Sequence, residues 1–269
     1  MTWLEACLLG LLQGLTEFLP VSSSGHLVLG QYVLGIEPSH AGDVTFEVFV
    51  HFGTAMSIAT VYWRRLGTIT TKTLGAMLRP GTLPVRWSTG EARLGSLILL
   101  TLVPTGLVYV LFKDALEAAF DSLTLVCAML LVTGVLLLLT LVRKDPSGEI
   151  SPIKALVIGI AQAAAIIPGI SRSGATICAA LYQNVEPEKA ADFSFLMLLP
   201  VVLGATLLKS LEMHGDVAWQ ALLAGSTVAY LSGMVAIRLV LGIVRKGRIH
   251  WFAYYCLALG TIGLFYLQT

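Results

Sequence analysis

Two short polar stretches interrupt an otherwise apolar chain, and both carry residue types that hold or attack phosphate. The first runs from Gln13 through Glu17 and Pro20 to Ser22, Ser23, Ser24, Gly25 and His26. The second runs from Pro168 and Gly169 through Ser171, Arg172, Ser173 and Gly174 to Thr176. Gln13 and Glu17 are four apart and so share a helix face. Pro20 ends that helix, the three serines supply N-cap chemistry for the next, and His26 falls in its first turn. Unpaired backbone N–H groups, hydroxyls and the positive end of the helix dipole together form an anion site. The second stretch repeats the device and adds Arg172, whose guanidinium is a rigid fork of donors suited to phosphate oxygens. There Gly169 and Gly174 permit close backbone approach, Ser171 and Ser173 offer hydroxyls, and Thr176 follows in the next turn. Two helix N-termini and an arginine facing one another suit a dianionic or trianionic group such as a diphosphate. Glu17 would repel it unless the carboxyl is protonated, bridges through a divalent cation or acts as a general base. That conflict favours catalysis over simple passage of an anion.

The two stretches belong to a degenerate repeat. Gly25 and Gly174 lie 149 positions apart (174 − 25), and Gln13 and Gln162 precede them at the same separation. Downstream, Phe46-Glu47-Val-Phe and Phe193-Ser-Phe-Leu each begin a new apolar run. Glu47 and His51 form a further polar pair on one helix face, placed to extend the site, to bind a cation or to bond within the bundle.

The elements that must position these residues are membrane helices. With 56% hydrophobic and 12% charged residues over 269, the chain is far from the roughly 25% charge of soluble domains. Six full spans are expected near 44–63, 94–112, 122–142, 192–208, 218–242 and 250–267. Residues 3–36 and 153–184 are apolar but broken at Pro20–Gly25 and Pro168–Gly174. Neither half of either pair comfortably crosses a core of ~30 Å at ~1.5 Å per residue. Each pair reads as a re-entrant helical hairpin, and irregular backbone at such depth must be buried in protein or line a wet cavity. The expected fold is an all-α polytopic membrane protein of one domain, 1–269. It is an inverted repeat of two halves, about 1–142 and 153–269, each a re-entrant hairpin plus three transmembrane helices, with the site where the hairpins meet.

Charge sets the expected orientation. The segment 64–93 carries Arg64, Arg65, Lys72, Arg79, Arg86 and Arg93 against Glu91 alone; 143–154 carries Arg143, Lys144 and Lys154; 243–249 carries Arg245, Lys246 and Arg248. The connections 113–121 and 209–217 are poor in basic residues. By the positive-inside rule the basic loops face the cytoplasm, and both termini and the mouth of the first hairpin face outward. The N-terminal stretch, which has no basic leader and carries Glu5, is not read as a cleaved signal peptide. The four cysteines stand singly with no metal-like spacing and read as packing residues. No nucleic-acid partner is expected; membrane lipids are, and a homodimer is compatible with the sequence.

The blocks QGLTEFLPVSSSGH (13–26) and PGISRSGAT (168–176) resemble the two signature motifs of the undecaprenyl-diphosphate phosphatase family, also called the bacitracin-resistance protein family. The resemblance runs nearly end to end and includes the TFE block at 45–47. It implies a bacterial plasma-membrane phosphohydrolase that cuts undecaprenyl diphosphate, a polyprenyl diphosphate lipid, to undecaprenyl phosphate and inorganic phosphate. Such an enzyme recycles the lipid carrier for peptidoglycan synthesis and confers bacitracin resistance. By position, the resemblance implies Glu17, Ser23, His26 and Arg172 as the reactive centre, lined by Gln13, Ser22, Ser24, Ser171, Ser173 and Thr176. It also implies dependence on Mg²⁺ or Ca²⁺, with Glu17 the candidate ligand. Many members carry glutamate where this chain has Gln13, which weakens a metal-binding carboxylate pair at 13 and 17.

The expected chemistry is attack by Ser23 on the terminal phosphorus with Glu17 or His26 taking its proton; His26 as nucleophile or acid, and direct attack by water, stay open. The competing reading is a lipid-phosphate transporter or flippase, since broken helices in inverted repeats are the transporter hallmark. The site is expected to open to the extracytoplasmic side.

Overall fold

The computed structural model describes residues 1–36, 42–78, 90–143, 147–212 and 219–267. Every named element among them is helical: α1 (Trp3–Phe18), α2 (Ser23–Val33), α3 (Gly42–Val61), α4 (Trp63–Met77), α5 (Gly90–Ala119) and α6 (Leu123–Leu138, continued by a 3₁₀ turn at Leu139–Val142). They are followed by α7 (Pro152–Ala164), α8 (Arg172–Tyr182), α9 (Pro187–Glu212), α10 (Trp219–Arg245) and α11 (Trp251–Tyr266). Arg79, Arg86 and Lys144, used above for orientation, lie outside the described residues.

Local sequence sets the helix ends. Thr2 and Glu5 form a reciprocal capping box at the start of α1, which satisfies two otherwise orphaned donors. Ser122, Ser151 and Ser171 cap α6, α7 and α8 through their side chains. Phe112, at the end of the expected span 94–112, is the non-helical kink inside α5. Residues 113–119, expected as a connection, instead continue as helix beyond it.

Among the described residues, four helices are long and apolar enough to cross a membrane: Gly90–Ala119, Leu123–Val142, Pro187–Leu208 and Trp219–Arg245. The first and last of the six expected spans coincide with α3 and α11. The 16 residues of α11 reach only about 24 Å at ~1.5 Å per residue, short of the hydrocarbon core. Trp3, Trp63, Trp219 and Trp251 each open a helix and are exposed, as interfacial anchors are. Helix α4 was not foreseen within the basic segment 64–93. It buries only Ile69, Thr73 and Ala76, too few apolar positions to distinguish it from a loop.

Each broken pair packs on a helix of the other half: α1 on α10, and α7 on α5. The α1–α10 approach is tight enough that a Cβ on Gly10 would meet the Gly225 carbonyl oxygen at 2.2 Å. A core containing Phe18, Ile58, Leu137, Ile158, Ile177 and Phe193 runs through the bundle, and Phe18 meets Phe195 edge-on at 5.4 Å between ring centroids.

One end of the bundle gathers the basic segments. Arg65 bonds Asp192 at 2.5 Å and lies 3.4 Å from Glu91, while Tyr62 donates to Asp192 at 2.7 Å. Arg93 donates to the Ile150 carbonyl at 2.7 Å, Lys189 pairs with Glu149 at 2.5 Å, and Arg245 pairs with Glu188. At this end Gly148, just before α7, bridges to Val185, just after α8. Asp192 thus ties the start of α4, through Tyr62 and Arg65, to α9.

Candidate active site

The breaks between α1 and α2 and between α7 and α8 lie against each other. At the first, α1 stops at Phe18, and Ser22 caps α2 with φ 71°, its hydroxyl accepting from the Gly25 N–H at 3.2 Å. At the second, Gly169 adopts φ +95°, a left-handed conformation that favours glycine. A Cβ there would also lie 2.3 Å from the Val126 carbonyl oxygen. Ser171 then caps α8 by accepting from the Gly174 N–H at 3.0 Å. Thr133 of α6 braces this turn, donating to the Gly169 carbonyl at 2.9 Å and accepting from the Ser171 N–H at 3.0 Å. Ser173 donates to the Leu19 carbonyl at 3.0 Å, tying the second break to the first. A Cβ on Gly25 would sit 3.3 Å from the Gly169 Cα. The N-termini of α2 and α8, whose first-turn N–H groups lack intrahelical partners, therefore meet.

Glu17 is the centre of the junction and is only 5% exposed. Its Oε1 accepts from the Arg172 guanidinium at 2.6 Å. Its Oε2 accepts from the Ser23 hydroxyl at 2.5 Å and the Gln13 amide at 2.8 Å, and lies 3.5 Å from His51 Nε2. A buried carboxylate is costly alone; a guanidinium and charge-assisted hydrogen bonds offset that cost. Arg172 in turn donates to the Ser194 carbonyl at 2.9 Å, which fixes the direction of its fork.

A cavity of about 310 Å³ opens onto this cluster, with Glu17, Ser23, Ser24, Glu47, His51 and Arg172 on its polar wall. Leu198, Val202, Ile166 and Phe120 line its apolar side, and Thr105 and Gln162 lie between. A hydroxyl held on a carboxylate, with a guanidinium alongside, can be deprotonated and directed at an electrophile bound in the cavity.

The remaining foreseen residues do other work. Gln13 is buried and orients Glu17. Ser22, Ser171, Ser173 and Gly174 build the turns, and Thr176 donates to the Arg172 carbonyl at 2.8 Å and bonds the Ser194 hydroxyl at 2.6 Å. His26 does not line the cavity: Nδ1 bonds the Ser22 carbonyl at 2.7 Å, and Nε2 bonds the Tyr255 hydroxyl at 2.7 Å with the two rings stacked. Gln162, the repeat partner of Gln13, donates to Thr105 at 3.0 Å. Ser194, Thr133 and Tyr255 were not foreseen. Ser194 was within reach of the repeat, which aligns Phe193-Ser194 with Phe46-Glu47; a lone threonine and tyrosine in apolar spans give no such signal.

These donors do not fit a resident divalent cation. Glu17 already has a guanidinium 2.6 Å from one oxygen. The buried Gln13 Oε1, which has no hydrogen-bond partner among the described residues, is a single neutral ligand. Among those residues no group of three His, Cys, Asp or Glu side chains is placed to hold a metal.

A family model described as bacitracin resistance protein BacA matches residues 6–262 of this chain. The chain is 57% identical over 271 residues to the undecaprenyl-diphosphatase of Salinibacter ruber, covering 99% of this chain and 100% of that protein. It is 44% identical over 273 residues to the undecaprenyl-diphosphatase of Syntrophotalea carbinolica (99% and 98% covered). To that of Bacteroides fragilis it is 39% identical over 272 residues (98% of each).

Proposed function

This chain belongs to the bacitracin resistance protein BacA family, and we propose that the Glu17–Ser23–Arg172 cluster makes it an undecaprenyl-diphosphatase. It is a multi-pass membrane enzyme that converts undecaprenyl diphosphate to undecaprenyl phosphate and inorganic phosphate, recycling the lipid carrier of cell-wall synthesis. The observation that carries the site assignment is one carboxylate holding both a hydroxyl at 2.5 Å and a guanidinium at 2.6 Å.

Ser23 attacks the terminal phosphorus while its proton passes to Glu17. The bond from that phosphorus to the bridging oxygen breaks, and undecaprenyl phosphate departs with the oxygen. Glu17 sheds that proton to solvent, then takes one from the water that attacks the phosphoserine and passes it to the departing Ser23 oxygen, releasing inorganic phosphate. Arg172 and the N-termini of α2 and α8 stabilise charge on the transferring phosphoryl. The leaving group is itself a phosphate monoester, whose second pKa is about 6, so no acid is needed to protonate it. His26 is accordingly a positioning residue that fixes the first turn of α2. A divalent cation belongs in this reading to the diphosphate, as is usual for Mg²⁺ bound through substrate phosphates. In this reading a second, apolar cleft of about 610 Å³ between α5, α6 and α7 takes the start of the prenyl chain.

The purified protein in detergent with Mg²⁺ is expected to release inorganic phosphate from undecaprenyl diphosphate and to stop on chelation. A short-chain prenyl diphosphate should be turned over with a higher KM. Lipid movement in vesicles with no phosphate release would make the protein a transporter instead.

The fold reading is a single domain of two inverted repeats, about 1–142 and 153–269. It is supported by the reciprocal packing of α1 on α10 and α7 on α5. Re-entry of the second hairpin is supported by the Gly148–Val185 bridge, which joins the chain entering α7 to the chain leaving α8. The basic end then faces the cytoplasm with both termini outside. The cavity is lined by Glu47 and His51 from the first half of α3, by Phe120, and by Ala205 and Thr206 of α9. All lie toward the opposite end, which supports an extracytoplasmic mouth. In a Cys7→Ala background, Ala205→Cys should react with an impermeant maleimide from outside intact spheroplasts. Reaction only in inside-out vesicles would reverse the orientation.

A further inference from the structure

We propose that His51 is a positioning residue: it keeps the Glu17 carboxylate on Ser23 when Arg172 turns to the diphosphate. The inference rests on the phosphatase reading above and concerns how that site survives its own substrate. Without substrate, Arg172 neutralises Glu17 through Oε1 at 2.6 Å. A diphosphate seated beside Ser23 competes for the same guanidinium with a larger charge. The arginine cannot follow it freely, because its other nitrogen is held by the Ser194 carbonyl at 2.9 Å. Its Glu17-facing nitrogen is the one free to change partners. At that moment the carboxylate would face phosphate with no cation on it, and repulsion would swing it off the serine it must deprotonate.

His51 is built to prevent this. It projects from α3 into the cavity, and its Nε2 lies 3.5 Å from Glu17 Oε2, the oxygen that receives the Ser23 proton. Its Nδ1 lies 2.7 Å from the Glu47 carbonyl one turn back. A carbonyl only accepts, so Nδ1 carries hydrogen and the ring is pinned with Nε2 toward the carboxylate. A proton on Nε2 then makes the contact an ion pair. The charged groups around the ring are Glu17 of α1, Arg172 of α8 and Glu47 of its own helix; Leu198 and Val202 of α9, on the same cavity, are apolar. His26 cannot take this part, since both its ring nitrogens are engaged away from the cavity.

The test compares His51→Leu with His51→Gln in the purified enzyme. Loss of the donor in His51→Leu should lower kcat about 10- to 100-fold, the usual cost of removing a group that orients a reactive one, with KM changed less than about twofold. His51→Gln, which keeps an N–H donor on the same helix face, should recover kcat to within about threefold of the parent. In a Glu17→Gln background, His51→Leu should cost nothing further, because there is no carboxylate left to hold. Unchanged kcat in His51→Leu overturns the proposal, as does a rise in KM alone or an equal loss in the Glu17→Gln background. A parent enzyme that releases no phosphate would instead overturn the phosphatase reading itself.

Discussion

Replacing Arg172 with alanine is expected to lower kcat/KM for phosphate release by about 10³-fold or more, the scale on which a guanidinium stabilises a transferring phosphoryl group. The same substitution should destabilise the protein, because Glu17 is left buried without its cation. Breaking a buried pair on one side costs roughly 3–5 kcal/mol, visible as a lowered unfolding midpoint in detergent. The two effects separate in the double variant. Arg172→Ala with Glu17→Gln removes the stranded charge and should restore most of the stability while activity stays lost. Arg172→Lys keeps a charge but not the fork, so it cannot serve the Ser194 carbonyl and Glu17 together. It should fall between parent and alanine in activity. A stable Arg172→Ala protein with near-parental turnover would remove Arg172 from the site.

The contrast between Glu17 and His26 shows what the sequence could carry. Gln13 and Glu17 are one helical turn apart, and the bond between them at 2.8 Å follows from spacing alone. The two breaks were legible because proline and glycine stop helices locally: α1 and α7 stop, and α2 and α8 start, within a few residues of the expected breaks. The rotation of α2 about its own axis was not legible. It decides that Ser23 faces Glu17 while His26 turns to Tyr255, 229 positions away in sequence, and it is set by packing rather than by α2 itself. Ser194 was hidden for a different reason: it serves Arg172 through a backbone carbonyl, which every residue possesses. His51 stood out as a polar residue in an apolar run, but its approach to Glu17 depends on how α3 lies beside α1.

Ser23→Ala is expected to reduce phosphate release by at least about 10⁴-fold, because removing a covalent nucleophile eliminates the reaction path rather than weakening it. Stability should change little, since the hydroxyl is one donor among several on Glu17. The decisive measurement is a single turnover on substrate labelled in its terminal phosphate, quenched in acid. Attack by Ser23 requires that label to appear on the protein at residue 23 before inorganic phosphate is free, with undecaprenyl phosphate formed in the same burst. Glu17 receives the serine proton in the first step and must shed it before accepting one from water in the second. Glu17→Gln should therefore suppress both steps and leave no phosphoenzyme to trap. Direct attack by water predicts otherwise: no labelled protein at any time, and a Ser23→Ala loss nearer the roughly 10²-fold expected when one orienting contact goes. The hydrogen bond of 2.5 Å from Ser23 to Glu17 favours the covalent path, since that carboxylate oxygen already accepts the serine O–H directly and leaves no room for a water between them.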